Sequence, residues 1–161
     1  MADTTHHYRV QMTWRGSNGV GTTSYRSYAR EYELTVNGKA TMRGSADAQY
    51  RGDATLWNPE ELFLASLSAC HQLWYLHLCA NAGVVVRTYE DRAESSMVVH
   101  DDGSGEFVSV LLRPAVTIAR GPSRERAIAM HDEAAKMCFI ARSVNFPVAH
   151  EPIVEFEPSA A

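Results

Sequence analysis

Between Leu62 and Ala82 the chain carries no aspartate, glutamate, lysine or arginine. Asn58-Pro59-Glu60-Glu61 stands immediately before this stretch and Gly83 immediately after it. Asn58 is a good N-cap, Pro59 suits the first helical position, and Glu61 completes a reciprocal pair with Asn58. Gly83 is a natural stop. The pattern predicts one helix of about 24 residues, roughly 36 Å long at 1.5 Å per residue. A helix apolar nearly all round must be buried on nearly all sides. A membrane span competes on length. Ser66, Ser68, His71, Gln72, His77 and Asn81 interrupt the stretch, however, and its flanks read as strands and one amphipathic helix, so no membrane is expected. One fold of 161 residues struggles to surround such a helix. A homodimer whose second copy covers part of it is the simplest solution.

Around this helix the sequence alternates in a different period. Tyr8 to Trp14 switches between apolar and polar residues, the mark of a half-buried strand. Glu33–Val36 and Lys39–Met42 flank Asn37-Gly38, a hairpin signal, because Asn-Gly supplies the positive φ angles of a two-residue turn. Residues 44–57 read as irregular. Past Gly83, strands are expected over 84–100 and from Phe107 to Ile118, with Pro114 at an edge or bulge. A second helix is expected to start near Ser123 and end before Pro147. It carries Ala127, His131, Ala134, Cys138 and Ala141 on one packed face. Ile153–Phe156 reads as a last strand. Strands, helix, strands, helix, strand make an α+β fold with mostly antiparallel sheets around a central helix.

The net charge is −4, which leaves no basic surplus to neutralise phosphates, so nucleic acid is not expected as a partner. Three cysteines cannot all pair internally, and the N-terminus lacks a charged-then-apolar export signal. The cytoplasm is the expected compartment, where a thiol in use is free, redox-active or metal-bound. Cys70 lies deep in the apolar helix, Cys79 near its end and Cys138 on the second helix. All three read equally as small core hydrophobes. Glu60, Arg43 and Arg51 lie in or near the loop before the first helix, and an arginine beside Cys70 would favour its thiolate. A carboxylate would hold that guanidinium in place. Cys70-His71 and His77…Cys79 supply four soft donors, but spacings of one and two make neighbouring side chains diverge, so neither a metal nor any other cofactor is expected.

Asn58-Pro59-Glu60-Glu61-Leu62-Phe63, followed by Ser68-Ala69-Cys70 and by a second cysteine at 138 on a later helix, resembles the OsmC/Ohr family. These are osmotically induced and organic-hydroperoxide-resistance thiol peroxidases. The resemblance covers nearly the whole chain as a single domain, 1–161. Tyr50-Arg51-Gly52-Asp53, Trp74-Tyr75-Leu76-His77-Leu78 and Cys138-Phe139-Ile140-Ala141 resemble an OsmC-like branch. Relatives often have a Cys-Pro start where this chain has Cys138-Phe139.

The resemblance implies an intertwined homodimer with active sites at its interface. It implies Cys70 as the peroxidatic cysteine, Cys138 as the resolving one, Glu60 as the motif glutamate and Arg51 as the active-site arginine. Another branch places that arginine in the glycine-rich loop after the first strand, here Arg15. The implied activity is reduction of organic hydroperoxides, and also of hydrogen peroxide, through a Cys70 sulfenic acid and a Cys70–Cys138 disulfide. An external dithiol recycles the enzyme. Leu56, Trp57, Phe63, Trp74 and Phe139 are candidate apolar walls of the site or plain core. Glu60 and Cys70 are ten positions apart, about 15 Å along one straight helix, so within one site the glutamate comes from the other subunit or the helix is broken. The competing expectation is a module binding a small apolar molecule, with structural cysteines.

Overall fold

The computed structural model describes residues 4–121 and 124–159. The chain forms two compact units, Met1–Leu62 and Phe63–Ala161, and its architecture is α+β. In the first unit β1 (Gln11–Trp14), β2 (Tyr32–Thr35) and β3 (Met42–Gly44) form an antiparallel sheet in that order. Met12 pairs with Leu34, which pairs in turn with Met42. The first strand is shorter than the alternation predicts, and Val10 and Met12 are exposed rather than half-buried. No described layer of this unit covers them. The Asn37-Gly38 connection also differs from expectation. Only Gly38 takes a positive φ, whereas the two-residue hairpin turn needs it at both positions. The strands therefore close through a wider loop, pinned where the Lys39 amide donates to the Val36 carbonyl at 3.0 Å.

Residues 44–57 are irregular, as expected, apart from one short 3-10 turn, Ala48–Tyr50. Asp47 caps that turn by accepting from the Gln49 amide at 2.8 Å. The turn closes through Arg51, which holds a left-handed φ of 68°. Gly52 follows, and a Cβ there would lie 1.6 Å from the Ala46 carbonyl oxygen.

α1 (Pro59–Asn81) starts and stops where its signals predict. Asn58 Oδ1 accepts from the Glu61 amide at 2.8 Å, and Glu61 Oε2 accepts from the Asn58 amide at 3.1 Å. Past its end, Gly83 takes a φ of 73° and the Val84 amide donates to Cys79 O at 2.9 Å, a Schellman closure. Within the second unit the helix buries one stripe, Leu67, His71, Tyr75 and Cys79, rather than its whole circumference.

Two three-stranded sheets pack with it. One has the order β4 (Val86–Asp91), β7 (Pro114–Ile118), β9 (Ile153–Phe156); the other has β5 (Glu94–Val99), β6 (Gly105–Leu112), β8 (Val148–His150). β4–β7 and β5–β6 are antiparallel, while β8 and β9 add in parallel. The single strand expected from Phe107 to Ile118 is two strands in different sheets. Pro114, lacking an amide hydrogen, begins β7 instead of bulging a continuous strand. The start of the second helix expected near Ser123 lies outside the described residues; α2 is described over Arg124–Met137. It ends ten residues before Pro147, and Cys138 follows its last residue.

The core has two centres. Tyr75, Cys79, Val84, Val116, Ile118, Ala127, Ala134 and Val154 form one. Leu67, Val110 and Leu112 form the other, with Phe63, Phe146 and Val148 against them. Both centres hang on α1.

Gly52→Ala should lower the urea midpoint by the equivalent of about 2 kcal/mol or more, because a Cβ cannot share space with a backbone oxygen. An unchanged midpoint would show that the loop carrying Arg51 is free to move aside.

Candidate functional site

The second unit brings Cys70 and Cys138 together. Cys70 sits on α1, half-buried, and Cys138 is buried just past α2. Both are free thiols, and they interact electrostatically. Burial, then the neighbouring Cys70 thiol, pushes the Cys138 thiol up to about 11, against the pull of the Ala141 amide. That amide donates to the Cys138 sulfur at 3.4 Å. Cys138 is therefore a protonated thiol at neutral pH and gives up its proton only as it reacts.

Cys70 opens on its other side into a cavity of about 290 Å³ lined by Cys70, Leu73, Trp74, His77 and Phe139. Cys70, Leu73, Trp74 and His77 recur at helical spacing, so one face of α1 makes the floor. Trp74 holds Phe139 and His77 edge-on, with ring centroids 5.5 and 5.6 Å apart. Leu73 and Phe139 are each 65% exposed, so the cavity is open to apolar molecules. His77 is fixed by Asn81, whose Nδ2 lies 3.1 Å from Nε2. An amide nitrogen only donates, so Nε2 accepts and neutral His77 carries its proton on Nδ1.

Of the expected walls, Trp74 and Phe139 line the cavity. Phe63 instead joins Phe107 and Phe146 in the second core centre, with centroids at 4.8 and 6.1 Å. Leu56 lines a separate hollow of the first unit, and Trp57 is exposed there.

The remaining predicted site residues lie in the first unit. Glu60 is on the first turn of α1, and its Oε2 is buried with no hydrogen-bond partner among the described residues. Beside it stands Tyr32, whose phenol is raised by burial and then by the Glu60 charge. The Tyr32 ring lies across Gly44, where a Cβ would come within 2.3 Å of it. Its hydroxyl donates to the Trp57 carbonyl at 3.4 Å. Arg51 is exposed in its left-handed turn, and no ion pair joins it to Glu60 among the described residues. Arg15 is engaged by Glu33 at 2.7 Å.

The four soft donors near Cys70 separate, as their spacing requires. Cys70 and His77 line the cavity, while His71 and Cys79 lie in the buried stripe. Among the described residues no group of three or more histidine, cysteine or acidic side chains is placed to hold a metal ion. His71 bonds to another ring, its Nε2 standing 3.0 Å from His131 Nδ1. His131 stacks on Tyr75 at 3.8 Å and meets His71 edge to edge with centroids 5.3 Å apart, and His150 packs on both histidines. Burial, with the neighbouring rings, holds His71 down at about 4 and His131 at about 3. Cys79 is buried and its thiol is raised by that burial.

Sequence reasoning missed Leu73, Tyr32 and this histidine cluster. The i, i+3, i+7 recurrence of Cys70, Leu73 and His77 was the available signal for the cavity floor. Nothing local marks the cluster, whose members come from distant elements.

Residues 52–152 match the family model described as OsmC-like protein. No curated protein matches the chain. Among solved structures, an OsmC-like protein of unknown function from Vibrio cholerae is 27% identical, with a TM-score of 0.83, covering 92% of this chain and 100% of its own. An organic hydroperoxide resistance protein OsmC from Legionella pneumophila is 18% identical, with a TM-score of 0.64 and coverage of 94% and 99%. The organic hydroperoxide resistance protein OhrB of Bacillus subtilis is also 18% identical, with a TM-score of 0.59 and coverage of 91% and 98%. The last two likenesses are of fold.

The two buried histidines make a pH test. Above pH about 6.5 they are neutral in both folded and unfolded chains; below it the unfolded chain takes up protons that the folded one refuses until about pH 4 for His71 and about 3 for His131. Stability should therefore fall as pH drops through that window, by on the order of 2 kcal/mol per ring at pH 5. Urea midpoints at pH 7.5 and 5 measure it, and a midpoint that does not fall would contradict the burial of these rings.

Proposed function

The chain belongs to the OsmC-like family, and on that premise we propose that it is a cysteine-based peroxidase for organic hydroperoxides. The observation that carries this reading is the contact between Cys70, open to an apolar cavity, and the buried Cys138 thiol. Two proteins of the same fold are named for resistance to organic hydroperoxides, which favours that substrate class.

The cycle has three steps. Cys70 thiolate attacks the outer oxygen of the hydroperoxide; the O–O bond breaks, the hydroxyl passes to sulfur, and the departing alkoxide takes a proton from water to leave as an alcohol. Cys138 then attacks the Cys70 sulfenic sulfur. A disulfide forms, and the sulfenic hydroxyl leaves with the Cys138 proton as water. An external dithiol finally exchanges with the disulfide, supplying two electrons and restoring both thiols. Leu73, Trp74 and Phe139 hold the organic part of the peroxide, so alkyl hydroperoxides are preferred over hydrogen peroxide.

Arg51 supplies donors to the peroxide oxygens, and Glu60, through its orphaned oxygen, orients a guanidinium. Because Glu60 and Cys70 are about 15 Å apart along α1, the working unit is a homodimer in which each copy's Glu60 and Arg51 serve the other copy's Cys70. The protein works in the cytoplasm, where free thiols persist. No helix among the described residues is long and apolar enough to cross a membrane.

Three measurements check this. Cys70→Ser should lose peroxide turnover by at least a hundredfold. An unchanged rate would favour the alternative that the apolar cavity suggests, a binding module with structural cysteines. Turnover should be at least tenfold faster with an alkyl hydroperoxide than with hydrogen peroxide; equal rates would remove the role given to the apolar walls. Light scattering should give twice the chain mass, and a monomer would remove the shared site.

A further inference from the structure

We propose that the His71–His131 pair is the positioning device that sets Cys138 against Cys70 for disulfide closure. The proposal rests on the two-cysteine cycle above. His71 directly follows Cys70 on α1. His131 lies on α2 seven residues before Cys138, two turns along nearly the same face. The two rings are joined at 3.0 Å between Nε2 and Nδ1, with their planes within 7° of parallel.

The rest of that face of α2 explains why one hydrogen bond matters so much. Its buried residues are Ala127, His131 and Ala134, with Cys138 just beyond. Alanines allow close approach but are non-directional, so two helices packed through them can slide or roll. A hydrogen bond falls off steeply with distance and angle. Among the described residues of that face, His131 is the one whose side chain hydrogen-bonds to α1, so it fixes the axial position of α2 against α1, and with it where Cys138 lands. Closure is demanding, since the two free sulfurs must come to about 2.05 Å with a set dihedral.

The pair is itself held from outside. The His150 ring packs at 5.5 Å from His71 and 6.2 Å from His131, and its Nε2 lies 3.0 Å from Asp132 Oδ1. Asp132 is a surface side chain, 70% exposed. Tyr75 stacks on a face of His131 at 3.8 Å. One N–H fits between Nε2 and Nδ1, so the pair works as two neutral rings sharing a proton.

Two rates separate positioning from general support: formation of the Cys70 sulfenic acid, trapped with dimedone, and its closure to the disulfide, timed by quench and mass spectrometry after one equivalent of cumene hydroperoxide. His131→Leu fills the space but cannot bond. We expect sulfenic acid formation within twofold of the parent and closure slowed at least tenfold. His131→Asn places an amide where Nδ1 stands and should restore closure to within threefold. Asp132→Ala, at the surface, removes only the outer tie and should slow closure about threefold in a fully folded protein; it keeps the test open if His131→Leu does not fold. Unchanged closure in His131→Leu, an Asn variant as slow as the Leu variant, or unchanged closure in Asp132→Ala would each overturn the proposal. If the parent Cys70 forms no sulfenic acid at all, the peroxidase reading fails instead.

Discussion

The buried stripe of α1 is the contact on which the second unit is assembled. Leu67 reaches one core centre, Tyr75 and Cys79 the other, and His71 lies between them. A stripe advancing four residues at a time presents one continuous face, so both sheets and α2 take their places against a single rigid element. The opposite consequence is equally physical. The faces of α1 that the unit leaves uncovered stay apolar, and one of them carries Cys70.

That asymmetry divides the chemistry between the two thiols. In the proposed cycle Cys70, partly open beside an apolar cavity, is the thiol that meets the peroxide. Cys138, buried and pushed up to about 11, is a poor nucleophile until, in that cycle, a sulfenic acid forms next to it. Its proton then has a destination, the departing sulfenic oxygen. A thiol kept neutral by burial is protected from direct oxidation and is spent only in closure. In the proposed cycle Cys70 is therefore the thiol oxidised first.

Local chemistry made much of this fold legible. Asn58, Pro59, Glu61 and Gly83 each act within one turn of themselves, so the ends of α1 could be read directly. Pro114 was ambiguous, because a missing amide hydrogen ends a ladder but does not say which sheet the chain joins next. Asn37-Gly38 misled for a similar reason: the pair permits a tight turn without enforcing one. Cys70 could be placed on α1, and Cys138, expected on the second helix, lies just past the end of α2; how the two meet depends on how α2 lies against α1. That in turn depends on His71, His131 and His150, three residues with nothing unusual around them in sequence. Long-range pairs of this kind leave no periodic trace. The homodimer, read from the charge-free length of α1, remains a proposal about how its uncovered face is satisfied.

The most direct test of the account is thiol mapping by mass spectrometry after one equivalent of an alkyl hydroperoxide. A Cys70–Cys138 disulfide, with Cys79 left free, is the predicted result. Oxidation of Cys70 without a disulfide would show that it acts alone with an outside thiol, and a chain with all three cysteines unreacted would contradict the account.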